Sequence, residues 1–265
     1  MTPGIYYDVP AVAYHAAPGT SNSAMGLLAR SPAHLHASFD EPFEATPAMH
    51  FGSVLHARVL EPDKAPFWAV EPEDHDGRTK LGKEWKRSVL ETFDFILSAD
   101  DAWAIGAMAD AIRTHQTASQ ALKDGKAEVS IFVDDANGLR RKCRIDWVSS
   151  GNSLVDIKTT EDARPEAFMR SAVTFGYHRQ AAWYLDTWNL IAPPEQRKEH
   201  FVFIAIEKKR PYALSVYIPT MQAIEYGRAE YARLSALYRE CVKNDEWPGY
   251  PSDIQWLELP KWIKP

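Results

Sequence analysis

The stretch that decides the fold is Gly138-Leu-Arg-Arg-Lys-Cys-Arg-Ile-Asp-Trp-Val-Ser-Ser-Gly-Asn-Ser-Leu-Val-Asp-Ile-Lys-Thr-Thr160. Two strand-like runs flank the turn signal Ser149-Ser150-Gly151-Asn152, which reads as a tight hairpin. Side chains alternate faces along a strand with period two. In the second strand, beginning at Ser153, Asp156 and Lys158 therefore share one face while Val155 and Ile157 point into the core. In the first, Gly138 to Val148, one parity carries Arg140, Lys142, Arg144 and Asp146, a row of cations leading to a carboxylate. Nine residues separate Asp146 from Asp156, a spacing that sets the two carboxylates side by side. Such a pair is unfavourable unless a proton or a metal ion is shared, so the pairing argues for a cation. Hard divalent cations prefer oxygen ligands, which makes Asp146, Asp156 and the Ile157 backbone carbonyl candidate ligands. Lys158 can position an attacking water or neutralise charge on a phosphate.

Neighbouring segments add to this cleft. Ala127–Val133 alternates, with Val129, Ile131 and Val133 on one face and Glu128, Ser130 and Phe132 on the other. Glu128 can reach the cleft as a ligand of a second metal or an outer carboxylate. Upstream, Thr46-Pro47 opens a helix to Leu60 in which Phe51, Leu55 and Val59 recur on one face. Gly52 and His56 stack one turn apart on a neighbouring face, so His56 points at whatever Gly52 leaves room for. Downstream, Pro165 starts a helix to about Phe175, Gly176 breaks it, and Tyr177 to Leu190 forms another. Its apolar stripe is Tyr177, Ala181, Tyr184, Leu185 and Trp188; Gln180 lies off the stripe, where its amide can face the cleft.

The ordered set Glu…Asp-x9-Asp-x-Lys resembles the PDDEXK nuclease superfamily. The additions Gly52-Ser-Val-Leu-His56, Tyr177-His-Arg-Gln180 and Trp183-Tyr184 resemble its exodeoxyribonuclease VIII (RecE-like) branch, related to RecB-type nuclease domains and phage lambda exonuclease. The resemblance runs from Ser21 to Trp262. It implies a restriction-endonuclease-like α/β fold, a mixed central sheet flanked by helices with a helical N-terminal half. It implies Mg²⁺ or Mn²⁺ held by His56, Asp146, Asp156 and the Ile157 carbonyl, with Lys158 catalytic and Glu128 and Gln180 assisting. The implied activity is an exonuclease acting on double-stranded DNA ends, 5′→3′, in recombination of phage type. A homo-oligomeric ring (trimer or tetramer) and a single-strand annealing protein are the implied partners. Candidate DNA contacts are Arg30, Arg140, Lys142, Arg144, Thr159, Tyr177, Lys208 and Lys209. A structure-specific or DNA-trimming endonuclease, or a non-catalytic DNA-end-binding module, are the alternatives; the intact Asp-x-Lys pair speaks against the last.

Elsewhere, residues 1–20 read as an irregular arm or short strand. Ser21 or Ser23 caps a helix to Arg30, Ser31-Pro32 restarts one, and residues 62–78 read as an exposed loop. A long helix is expected from Arg78 to about Ser98, a second from Asp101 to His115 and a third to Leu122. His200–Glu207 and Tyr212–Ile218 read as strands, and Pro219-Thr220 caps a last helix to Asn244. The 265 residues, 45% of them hydrophobic, suit one domain. Within it, 1–125 is a mainly helical wall carrying His56, 126–245 the catalytic sheet core and 246–265 an aromatic, Pro-rich tail.

No apolar run is long enough for a transmembrane helix and no secretory signal is expected. The two cysteines, Cys143 and Cys241, are too few for a four-cysteine iron–sulfur cluster and fit a reducing cytoplasm. A net charge of −6 is awkward for a polyanion binder. Acidic runs at Asp40–Glu44, Glu71–Asp76 and Asp100-Asp101 imply a polarised surface instead, with Arg140–Arg144 and Lys208–Arg210 as its basic patches.

Overall fold

The computed structural model describes residues 1–41 and 45–258. Strand β1 (Gly4–Tyr6) leads into helices α1 (Ala11–Ala16), α2 (Asn22–Arg30), α3 (Pro32–Asp40) and α4 (Pro47–Leu60). Then follow β2 (Trp68–Val70), α5 (Lys80–Val89), β3 (Phe95–Leu97), α6 (Ala99–Thr114) and α7 (Gln116–Ala121). The central segment comprises β4 (Gly125–Asp134), β5 (Arg140–Ser149), β6 (Ser153–Thr160), α8 (Pro165–Thr174) and α9 (Tyr177–Ile191). The chain closes with β7 (His200–Glu207), β8 (Leu214–Tyr217) and α10 (Met221–Asn244). The helix starts follow from side-chain caps: the oxygens of Ser21, Ser31, Thr46 and Thr220 accept from the N–H groups of Ala24, His34, Met49 and Ala223.

The main sheet runs β1-β4-β5-β6-β7-β8, antiparallel throughout except for β6 and β7. That parallel pair requires a crossover, which α8 and α9 supply. β7 shows how the sheet is covered. Phe201, Phe203 and Ala205 pack with α9, α10 and α2 on one face, while Val202, Ile204 and Ile206 pack with α4 and α6 on the other. Burial on both faces is why this strand reads as an unbroken apolar run.

One region departs from expectation. The helix read from Arg78 to Ser98 ends at Val89, and Phe95-Ile96-Leu97 forms a strand instead. It pairs in parallel with Trp68–Val70, inside the segment read as loop. Burial of Trp68 and Leu97 against Ile105 and Met108 outweighs helix propensity there. The same segment is tied to α5 by His75, whose Nε2 donates to the Gly82 carbonyl at 3.1 Å, whose Nδ1 meets the Glu71 carboxylate at 2.6 Å, and whose ring lies on Trp85. Of the two readings of residues 1–20 the short strand holds: β1 pairs with β4, and α1, which that reading lacks, packs Tyr14 on Phe132. The start of the tail lies on its own body. Trp247 rests on His36, Phe39 and Tyr238, and the Pro248 carbonyl accepts from Ala33 N–H. Glu44 of the first acidic run, and the tail end with Lys261 and Trp262, lie outside the described residues. No helix among the described residues is long and apolar enough to cross a membrane.

Candidate active site

The site forms where β5 and β6 part. Their pairing is confined to Trp147 with Val155 and Val148 with Leu154. One residue further, the Asp146 carboxylate enters the opening and accepts from the Ile157 N–H at 2.8 Å. The same row is irregular on the other side. Ala127 and Trp147 are opposed in register and pack with the α4–α6 layer, whereas Val129 and Ile145, also opposed, pack with the α9–α10 layer. Both strands thus change face at Glu128 and Asp146, and Glu128 takes φ 52° to do so. The expected grouping of Glu128 with Ser130 and Phe132, and of Asp146 with the cations of β5, fails at this row because period two is broken there.

From α4, His56 closes the opening. Its Nε2 donates to the Ile157 carbonyl at 3.0 Å and stands 3.5 Å from Asp146 Oδ2, with Nδ1 3.8 Å from Glu128 Oε1. His56, Glu128 and Asp146 each offer a ligand atom within 4.8 Å of the others. Asp156 leaves this group. It is buried, its Oδ1 accepts from Gln180 Nε2 at 2.5 Å, and Lys158 Nζ stands 2.7 Å from Oδ2, an ion-pair contact off the line of a hydrogen bond. Asp156 and Lys158 do share one face, as their spacing implies, and Gln180 does reach the cleft. Asp156 nevertheless lies close enough for its charge to raise the Asp146 pKa, while Gln180 and Lys158 engage its own carboxylate.

The electrostatics of the cluster suit a cation. Burial raises the Asp146 carboxyl well above the usual range, and Asp156 and Glu128 push the same way against His56. For His56 burial opposes the imidazolium, but Asp146, Glu128 and Asp156 outweigh it and lift the ring to about 9. Three carboxylates in one buried space hold a proton where a metal ion would otherwise balance them. Burial likewise opposes the Lys158 ammonium, yet Asp156 and Asp146 raise its pKa, so it stays charged at neutral pH. The donor set of carboxylate oxygens, one carbonyl and one imidazole fits a hard divalent ion.

The row of cations on β5 is otherwise engaged. Lys142 is buried and its ammonium donates to the carbonyls of Tyr14, His15 and Ala17, which takes all three N–H groups and caps α1. Arg144 pairs with Glu128 at 2.5 Å and donates to the Val9 carbonyl. Arg140 pairs with Asp134 and reaches the Met1 carbonyl. Lys142 is therefore corrected from a DNA contact to a support for the arm, and Arg144 serves Glu128. Arg30 is exposed and meets Tyr250; Lys208 pairs with Glu161; Lys209 is exposed. Thr159 is partly buried, and Tyr177 has Lys158 Nζ 5.1 Å from its ring centroid.

Sequence reasoning missed the support beneath Gln180. Arg179 and His178 both bind Glu230 of α10, at 2.7 Å each, and Arg179 also reaches Asn22. These partners lie far along the chain, and no local signal announces them.

The model of a PDDEXK-like domain of unknown function (DUF3799) matches residues 21–260. No curated protein matches the chain. Among solved structures, a "Putative exonuclease" from Eubacterium rectale is similar over 96% of each chain, with a TM-score of 0.64 and 14% identity. The protein SSO0001 (TM-score 0.31, 12% identity, 74% of this chain and 88% of that one) is more distant. So is an alkaline exonuclease from Laribacter hongkongensis (TM-score 0.28, 11% identity, 72% and 99%). At 14% identity the first likeness speaks for the fold alone.

Proposed function

Because the chain belongs to the PDDEXK-like DUF3799 family, we propose that it is a divalent-metal-dependent nuclease that hydrolyses phosphodiester bonds in DNA, working inward from double-stranded ends. The observation that carries this reading is the convergence of His56, Glu128, Asp146 and the Ile157 carbonyl beside the buried Asp156–Lys158 pair. His56, Asp146, Asp156 and the Ile157 carbonyl would hold Mg²⁺ or Mn²⁺, with Glu128 serving the same ion or a second one. Such an ion lowers the pKa of a bound water and polarises the scissile phosphate. Lys158, kept charged by Asp156 and Asp146, offsets the negative charge that grows on the phosphate in the transition state. Gln180 on α9 donates its amide to Asp156 and so orients the carboxylate that pairs with Lys158.

One domain does the work: the wall 1–125 brings His56 and the core 126–245 the rest, with 246–265 as a tail. We place it in the cytoplasm, in recombination of phage type, as a ring of subunits with 5′→3′ polarity and a single-strand annealing protein as partner.

The deciding experiment is digestion of linear duplex labelled at the 5′ or 3′ end, beside a closed circle, in Mg²⁺. Loss of 5′ label from linear DNA with the circle intact is expected. Lys158→Ala should slow this by about a hundredfold or more. Nicking of the circle would make the protein an endonuclease, and an inert wild type would end the nuclease reading.

A further inference from the structure

The turn Phe175-Gly176-Tyr177 joins α8 to α9 beside Lys158. Gly176 takes φ 67°, and a Cβ there would stand 2.6 Å from the guanidinium of Arg179. That guanidinium is anchored by Glu230 at 2.7 Å and by Asn22 at 3.1 Å, so a buried ion pair supports the turn from beneath. Only glycine satisfies both the backbone angle and the space. The consequence is that the rings on either side of the glycine stack: Phe175 and Tyr177 have centroids 5.8 Å apart and planes 29° apart. Tyr177 in turn meets Lys158, and also rests on Phe168 and Phe203 of the core. The rings form a short ladder from the ammonium at the candidate site to the surface. Its outer rung, Phe175, is 63% exposed.

A large aromatic side chain facing water on a turn this firmly held is pre-organised to receive something flat. Resting on the nuclease reading above, we propose that Phe175 is a stacking platform for an unpaired nucleobase of the strand whose phosphate lies at Lys158, so that the site takes DNA carrying a single-stranded overhang in preference to a fully paired end. Bases inside a duplex are stacked on one another and offer no free face. An unpaired base does, and base–aromatic stacking tolerates any sequence because every base has a π-face. The basic row of β5 is buried under the N-terminal arm or paired with carboxylates, which leaves stacking as a means of holding the strand that needs no free cation.

The test is fluorescence anisotropy in Ca²⁺, with the full chain and two labelled probes of the same sequence: a blunt duplex and a duplex with a short overhang, of each polarity. Wild type is expected to prefer one overhang over the blunt end. Phe175→Ala should weaken that overhang roughly tenfold, the usual size of one lost stacking contact, and leave the blunt duplex nearly unchanged. Phe175→Trp, which keeps a π-face, should restore the preference and guards against a folding defect in the alanine variant. Equal binding of all ends by wild type, or an unaltered Phe175→Ala, overturns the platform while leaving the nuclease reading standing. Failure of wild type to bind any probe removes both.

Discussion

His56 carries a proton that a metal ion would have to displace. A carbonyl can only accept, so the 3.0 Å contact with Ile157 puts the hydrogen on Nε2, the nitrogen best placed to become a ligand. Its neighbouring carboxylates lift the ring to about 9. Metal binding needs the neutral ring. Between pH 6 and 9 uptake of Mn²⁺ should therefore release protons, and apparent affinity should rise with pH across that window. Calorimetric titration at pH 7 in two buffers of different ionisation enthalpy measures the release. Roughly one to two protons are expected for wild type, from His56 and from the Asp146 carboxyl, which is raised to about 7; no release in wild type would remove His56 from the ligand set. At this scale the sequence was legible where period two holds. Asp156 and Lys158 lie on one face because Val155 and Ile157 are buried on the other. It was illegible at Glu128 and Asp146, where both strands change face in one row, since no residue type marks that break.

Elements place the polar groups of the site from two helical layers. α4 brings His56 from one face of the sheet, and α9 brings Gln180 from the other, meeting at the opening between β5 and β6. The position of α9 depends on its contact with α10. A Cβ at Gly227 would lie 2.3 Å from the His178 carbonyl oxygen and 3.0 Å from the Ala182 side chain, so the two backbones touch there. Gly227→Ala should push α9 away, costing about 1–3 kcal/mol of stability as overpacked cores do, and should displace Gln180. Denaturant unfolding measures the cost. A change below about 0.5 kcal/mol would mean that the helices slide apart freely and that α9 is not held at this point. Helices with local caps were legible at this scale, Thr46 and Thr220 among them. The β2–β3 pair was not, because only tertiary burial makes three-residue strands stable.

The molecule as a whole is acidic, yet the proposed substrate is a polyanion. Its net charge is −6, and the cations that seemed free on β5 serve the arm and Glu128 instead. Screened contacts from Arg30 and Lys209 are weak holds on DNA. A protein in this position can retain its substrate by enclosing it, with several copies around one duplex. In the proposed ring, the tail would supply the joint. After Trp247 and Tyr250 have packed on the body, the side chains of Ile254, Trp256 and Leu257 are 87%, 90% and 94% exposed. Three large apolar groups in one extended stretch are costly in water and are buried when closed symmetric assemblies form. Light scattering after size exclusion at micromolar concentration should give a small multiple of the single-chain mass. The triple variant Ile254→Ser, Trp256→Ser, Leu257→Ser should run as one copy with an unchanged melting temperature, because these side chains make little contact with their own body. Full-length protein with the mass of a single chain at every concentration would exclude the ring, and processive digestion would then have to come from the cleft of one subunit.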